Sequence, residues 1–243
     1  MSDPVARPLS ELGLNLSRGA NVTVSGIGLD SRAVQKGMLF AALPGSRVHG
    51  AAYIATALAR GASAILTDRA GAEIAAEAVA ASNASRVLAE VTRAALSGAA
   101  ALWFGAQPGV MVAVTGTNGK TSVASFTRQL WAALGFDAAN LGTTGVEGAY
   151  GAPLGHTTPD TITLHRLLAD MAREDVTHCA MEASSHGLDQ RRLDGVTLRA
   201  AGFTNFTQDH LDYHGSMEAY GEAKARLFER EELHFSVINF DDP

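Results

Sequence analysis

The stretch from Val110 to Thr121 constrains this chain more than any other. It reads Val-Met-Val-Ala-Val-Thr-Gly-Thr-Asn-Gly-Lys-Thr. A valine-rich apolar run leads into glycines, then a lysine and a hydroxyl residue, and a helix-like segment follows. That order predicts a buried strand, a phosphate-cradling loop and a helix whose N-terminus points at the phosphates. Gly116 and Gly119 let backbone N–H groups turn inward with no Cβ in the way. Lys120 supplies a cation for β/γ-phosphates, and Thr121 a hydroxyl oxygen for Mg²⁺. The widespread form of this loop, Gly-x-x-x-x-Gly-Lys-Ser/Thr, would place its first glycine at Val114, which is still strand. The loop here is a shorter form, Gly116-x-x-Gly119-Lys120-Thr121. Taken by themselves, these residues predict an ATP or GTP site.

The rest of the composition narrows the partners. The 243 residues suffice for one large domain or two small ones. Net charge is −6 with no long basic run, which argues against a nucleic-acid partner and leaves any anion to local groups such as this loop. The single cysteine, Cys179, excludes an intrachain disulfide framework and sits in an apolar run, as a small buried strand residue does. No apolar stretch approaches the roughly 18 residues of a membrane span. Met1 to Ser10 has no signal-peptide core. A soluble, cytoplasmic, monomeric protein is expected.

Along the chain, hydrophobic periodicity predicts strands over Asn21 to Ile27, Met38 to Leu43, Ser63 to Thr67 and Arg86 to Ala89. Helices are predicted over Gly50 to Arg60, Ala72 to Ala81 and Val91 to Phe104. Gly105-Ala106-Gln107-Pro108-Gly109 marks a break, giving units 1–106 and 107–243. The second unit alternates more regularly. Strands are predicted over Val110 to Val114, Asp137 to Leu141, His178 to Met181, Ala200 to Thr204 and Phe235 to Phe240. Helices are predicted over Thr121 to Leu134, Thr161 to Ala172 and Met217 to Phe228, and a loop or hairpin over Thr143 to Gly155. The expected fold is α/β: a small N-terminal α/β domain, then a mostly parallel nucleotide-loop sheet with helices on both faces. The chain stops at Asp241-Asp242-Pro243 just after a predicted strand, so a longer natural protein is expected.

In such sheets ligands bind beyond the carboxyl ends of the strands. Glu182 follows one predicted strand, and Asn205, Asp209 and His210 follow another, so all should gather on the rim with Lys120 and Thr121. A carboxylate, an imidazole and a hydroxyl around a triphosphate make a reasonable Mg²⁺ shell. The bland alternatives are a solvated loop carboxylate and a satisfied core or capping histidine. Lys224 lies between Ala223 and Ala225. By pattern alone it is a lysine whose stem covers apolar surface. A buried lysine with a depressed pKa can also react with CO₂ as the neutral amine, giving an anionic carbamate able to bind a metal.

Taken together, an ordered set of motifs resembles the Mur ligase family, in particular the branch that extends UDP-MurNAc-L-Ala-D-Glu. Asp30-Ser31-Arg32 followed by Gly37 to Gly45 resembles its uridine-binding signature. Thr115 to Thr121 resembles its nucleotide loop and accounts for the short form. Thr157-Thr158-Pro159-Asp160, Met181 to Leu188, Thr204 to Gly215 and Tyr220 to Phe228 complete the set. Two departures stand out: His156 where asparagine commonly precedes Thr-Thr-Pro, and Ser122 where threonine is frequent.

The resemblance implies an ATP-dependent amide ligase of peptidoglycan synthesis. It would join a diamino acid, meso-diaminopimelate or lysine, to UDP-MurNAc-L-Ala-D-Glu through an acyl phosphate. It implies that Gly116, Thr117, Asn118, Gly119, Lys120, Thr121 and Ser122 hold ATP. Thr121 and Glu182 would hold one Mg²⁺, and His210 and carbamylated Lys224 a second. Leu29, Ser31, Ser46, Arg47 and Val48 would contact the uridine diphosphate. Thr157, Thr158, Ser184, Gln190 and Arg192 would contact the muramoyl-peptide. Family members carry the remainder of the central domain and a third, C-terminal domain for the incoming amino acid, so this chain is expected to be the N-terminal part of such a ligase, with an incomplete central domain. The alternatives are a truncated UDP-precursor-binding module and another Mur-type ligase.

Overall fold

A computed structural model describes residues 5–242. The chain divides into two compact units, residues 1–105 and 106–243.

In the first unit the strands are β1 (Arg7–Pro8), β2 (Leu16–Arg18), β3 (Thr23–Val24), β4 (Ile27–Gly28), β5 (Leu39–Ala41), β6 (Ala64–Thr67) and β7 (Ser85–Leu88). The helices are α1 (Ile54–Ala59), α2 (Arg69–Ile74), α3 (Ala76–Ala80) and α4 (Thr92–Phe104). Strands β4 to β7 pair in parallel in the order β7-β6-β5-β4, and β2 adds an antiparallel edge on β7. Strands β1 and β3 form a separate two-stranded ribbon. Val34, Phe40, Ile54, Ile65 and Val79 form an apolar core on one side of the sheet. Most predicted strands and helices are present with shifted ends, but the strand expected over Asn21 to Ile27 is split in two: β3 pairs with β1 in the ribbon and β4 with β5 in the main sheet. The helix expected over Ala72 to Ala81 starts earlier and is two short helices, because Asp68 accepts from Gly71 N at 2.7 Å and caps the first at Arg69. The stretch from Gly50 begins as a turn of 3₁₀ helix capped by His49, whose Nδ1 accepts from Ala51 N at 3.0 Å.

The second unit runs β8 (Val110–Thr115), α5 (Lys120–Ala133), β9 (Ala138–Gly142), β10 (Gly145–Gly148), α6 (Thr161–Arg173), β11 (His178–Glu182), α7 (Ser185–Asp189), β12 (Ala200–Phe203), α8 (Leu211–His214), α9 (Met217–Ala225) and β13 (Phe235–Ile238). Its sheet order is β10-β9-β11-β8-β12-β13, parallel except for β10. Register places Ala139, Cys179 and Met111 in one row and Leu141, Met181 and Ala113 in the next. This face packs on Leu164, Leu168 and Met171 of α6. Alternation puts Asn140 and His178 on the opposite face. There α5 and the turn after it cover them: Arg128 Nε donates to Asn140 Oδ1 at 2.6 Å, and the rings of Trp131 on α5 and Phe136 just beyond it lie 5.1 and 4.2 Å from the His178 ring. Helices therefore cover both faces, and the carboxyl ends of β8, β9, β11 and β12 share one rim. Cys179 is fully buried, which pushes its thiol up to about 12. No helix among the described residues is long and apolar enough to cross a membrane.

Candidate functional site

The loop between β8 and α5 is held from below by the segment that leaves β12. Thr117 N donates to Asn205 O at 2.8 Å, and Asn118 N donates to Asn205 Oδ1 at 2.9 Å. Thr204 Oγ1 donates to Asn118 O at 2.6 Å, and Thr117 Oγ1 donates to Thr207 O at 3.0 Å. Gly116 sits at φ 137°, in the region that favours glycine, and a Cβ there would lie 1.9 Å from Thr204 Oγ1. The loop's conformation and its clamp thus demand that glycine twice over.

Two lysines converge on the loop. Lys120 Nζ donates to Gly116 O and Thr117 O at 2.9 and 2.8 Å, and Lys224 Nζ donates to the same Gly116 O at 2.7 Å. Lys224 is 2% exposed, with its ammonium 4.3 Å from the centre of the Tyr220 ring. Burial, then the Lys120 charge, push its pKa down to about 7, with Asp209 opposing. Burial also lowers Lys120, with Glu182 and Asp209 opposing. Lys224 therefore does not lie along the surface with its head in water. It is a buried amine at the nucleotide loop.

Glu182, at the end of β11, is 2% exposed. Its Oε1 accepts from Thr143 N at 2.7 Å and its Oε2 from Thr143 Oγ1 at 3.3 Å. A Cβ on Gly142 would fall 1.9 Å from Oε1, so the carboxylate is packed against bare backbone. His210 adopts a left-handed backbone (φ 52°), uncommon for a residue with a side chain, and its Nε2 lies 3.5 Å from Asp209 Oδ2.

These groups line one cavity of about 230 Å³, which brings together Thr117, Asn118, Gly119, Lys120, Thr121, Thr157, Glu182, Ser184, His210 and Lys224. Gly116 contributes its carbonyl beneath the two lysines. Ser122 is exposed on α5 and outside the lining. Thr158 is buried: its Oγ1 donates to Glu182 O at 3.0 Å and accepts from Ser184 N at 3.1 Å, so it braces the end of β11. Arg192 donates to the Thr158 carbonyl and, through Nη2 at 2.8 Å, to Gln190 Oε1, so this pair forms a local network beside the cavity.

In the first unit a separate cavity of about 720 Å³ is lined by Leu29, Ser31 and Val48 together with Asp30, Arg32 and Tyr53. Asp30 and Arg32 pair fork to carboxylate, with Nη2 to Oδ2 at 2.8 Å and Nε to Oδ1 at 3.0 Å. The Arg32 guanidinium holds the Asp30 carboxyl down at about 2. Ser46 and Arg47 are exposed and lie outside its lining.

The donor set suits Mg²⁺ brought in with a phosphate. Glu182 is a buried carboxylate with no ion pair among the described residues. Beside it stand a hydroxyl, Thr121, and an imidazole, His210. No group of three or more His, Cys, Asp or Glu among the described residues could hold a metal unaided. Mg²⁺ ordinarily takes one or two carboxylates and completes its shell with phosphate oxygens and water, which is the arrangement this cavity offers.

Motif reading missed Thr143, Gly142, Tyr220 and Ser185. Thr143 and Gly142 close β9, and the rule that strand ends carry the chemistry would have found them. Tyr220, whose hydroxyl lies 3.3 Å from Thr117 Oγ1, opens one of the family motifs, but nothing in that motif marks its hydroxyl for the loop.

A loop of this shape on a parallel sheet, with a buried carboxylate and two converging lysines, defines a nucleotide-loop α/β protein. The family comparison is more specific. The Mur ligase middle domain matches residues 114–243, and the model described as Mur ligase family, catalytic domain, matches residues 23–103. The chain belongs to the Mur ligase family.

It is 56% identical over 211 residues to the UDP-N-acetylmuramoyl-L-alanyl-D-glutamate--2,6-diaminopimelate ligase of Rhizobium meliloti (strain 1021), covering 86% of this chain and 42% of that protein. To the protein of the same name from Agrobacterium fabrum (strain C58 / ATCC 33970) it is 51% identical over 236 residues, covering 95% and 46%. A solved ligase of that name superposes with TM-score 0.81 at 32% identity, covering 98% of this chain and 48% of that one. A MurF from Acinetobacter baumannii shares the fold at TM-score 0.63 and 18% identity, covering 99% of this chain and 50% of that one. The chain spans less than half the length of the curated relatives it matches.

Proposed function

We propose that this chain supplies the UDP-precursor-binding unit and the ATP-binding unit of a ligase that adds a diamino acid to UDP-MurNAc-L-Ala-D-Glu. The observation that carries this reading is the 230 Å³ cavity, where the nucleotide loop, Glu182, His210 and two lysines meet. Relatives named for 2,6-diaminopimelate favour meso-diaminopimelate over lysine as the added residue.

The chemical need is to bring two anions together. A carboxylate is a poor acyl donor at neutral pH, and phosphorylating it turns one oxygen into a leaving group. In the proposed reaction the free γ-carboxylate of D-Glu attacks the γ-phosphorus of ATP, giving an acyl phosphate and ADP. The amine of the diamino acid then adds to the acyl carbon, and phosphate leaves. Charge neutralisation dominates such a reaction. Lys120 swings from the Gly116 and Thr117 carbonyls to the phosphates. Thr121 and Glu182 would hold one Mg²⁺, and His210 and a carbamate on Lys224 a second; when bound, these ions would neutralise charge on the phosphoryl oxygens. Thr157 and Ser184, in the cavity lining, contact the peptide; Thr158 and the Gln190–Arg192 network brace that wall. The cavity lined by Leu29, Ser31 and Val48 takes the uridine diphosphate, with Ser46 and Arg47 closing on it from the exposed loop. The reaction is placed in the cytoplasm, where ATP is available.

The test is a product assay on the polypeptide that carries these units, with ATP, Mg²⁺, UDP-MurNAc-L-Ala-D-Glu and either diamino acid, read by mass spectrometry. Gain of one diaminopimelate residue with stoichiometric phosphate release is expected. Binding of both ligands with no phosphate release would favour a UDP-precursor-binding module.

A further inference from the structure

Two adjacent serines at the end of β11 behave differently. Ser184 Oγ accepts from Gly187 N at 3.1 Å and caps α7. Ser185 is 2% exposed, lines the same cavity as Lys224, and its Oγ has no hydrogen-bond partner among the described residues. A buried hydroxyl left unpaired costs about 1–3 kcal/mol, so one that faces a polar cavity points to a ligand group that completes it.

Lys224 lies on the adjoining wall, since α7 packs against α9. Its ammonium donates to Gly116 O, and a carbonyl is an acceptor. If Lys224 carries a carbamate, two new oxygens appear in a buried place, and they need donors. Gly116 O cannot serve them. The Ser185 O–H is a buried donor without an acceptor among the described residues.

We propose that Ser185 donates the hydrogen bond that holds the carboxylate of a carbamate formed on Lys224, an inference that rests on the reading of Lys224 given above. In forming it, the neutral Nζ lone pair bonds to the carbon of CO₂ and one C–O π pair moves onto oxygen. One N–H proton leaves to water. The N–H that remains can keep its bond to Gly116 O, while Ser185 binds one of the carboxylate oxygens. Ser185 thereby stabilises the modified lysine and takes no part in phosphoryl transfer.

The experiment is a titration of the 243-residue chain with ¹³C-bicarbonate, following the carbamate resonance by ¹³C NMR. Lys224→Arg identifies the signal by removing it. Ser185→Ala is compared with wild type, and Ser185→Cys, which keeps the volume with a weak donor, carries the measurement if the alanine variant fails to fold. A hydrogen bond to a charged group contributes about 1.5–3 kcal/mol, so either variant should need about tenfold more bicarbonate, or more, for half-loading. Superimposable titrations of wild type and variants would overturn the proposal. So would unchanged loading with weakened binding of inorganic phosphate, which would assign the hydroxyl to a phosphoryl group. Absence of the signal in wild type would overturn the reading of Lys224 and this inference with it, and shows before any variant is compared.

Discussion

The two cavities of this molecule are built on opposite terms. The cavity of the first unit is the larger, about 720 Å³, and its ion pair, Asp30 with Arg32, is largely exposed. The cavity of the second unit is about 230 Å³, and its charged groups, Glu182 and Lys224, are each 2% exposed. Exposed pairs contribute little to stability and little to reactivity, because water screens them. Buried charges are costly and persist only when paired or completed by a ligand, and burial pushes the Lys224 amine down to about 7. The first arrangement suits capture of a ligand by shape, and the second suits chemistry on it.

The comparison can be broken by moving one cavity's function without the other. The largest effect is expected from Lys120→Ala, which removes the loop's cation. Calorimetry should show ATP binding weakened about a hundredfold or more, as befits loss of charge-assisted bonds, with binding of the uridine diphosphate portion of UDP-MurNAc-L-Ala-D-Glu in the first cavity nearly intact. Equal loss of both ligands would contradict two separately built cavities.

The next effect concerns stability. His165, on α6 in the second unit, is 3% exposed, and burial pushes its pKa down to about 4. The folded state therefore prefers the neutral ring, and the unfolded chain binds more protons below its ordinary value of about 6.5. Stability contributed this way is fully present above about 6.5 and is lost as pH falls toward 4. At pH 5 the second unit should have lost about 2 kcal/mol, seen by hydrogen exchange in β8, β9 and β11. His165→Gln should flatten that dependence, and an unchanged slope in the variant would assign it to other groups. The smallest effect is expected from Ser31→Ala in the first cavity, a loss of about tenfold in UDP affinity from one hydrogen bond, with ATP affinity unchanged. A fall in ATP affinity there would blur the distinction.

Much of the second unit was legible because its pattern is forced. A parallel strand buried on both faces reads as a valine run, and the loop that follows has few ways to present backbone N–H groups to phosphate. Glu182 and His210 were legible because strand ends share one rim. Lys224 was reached only through the family resemblance, since a lysine between alanines looks the same in sequence whether its amine meets water or Gly116 O. Thr143 escaped because its role depends on Gly142 and Glu182 meeting across neighbouring strands, a register that local pattern does not report. Thr158, Gln190 and Arg192 fell in the right region, yet their polar contacts join them to each other and to the end of β11. The short strands β1 and β2 and the helices α7 and α8 are too brief for periodicity to register.

The central claim is that Glu182 and the nucleotide loop form one site for a divalent cation carried by ATP. Electron paramagnetic resonance of Mn²⁺ with ATP, titrated into wild type and Glu182→Gln, tests it most directly. In wild type the protein should capture the Mn²⁺–ATP complex and alter its spectrum, and Glu182→Gln should lose that capture while still binding ATP in chelator. Equal capture of Mn²⁺–ATP by Glu182→Gln and wild type would contradict it.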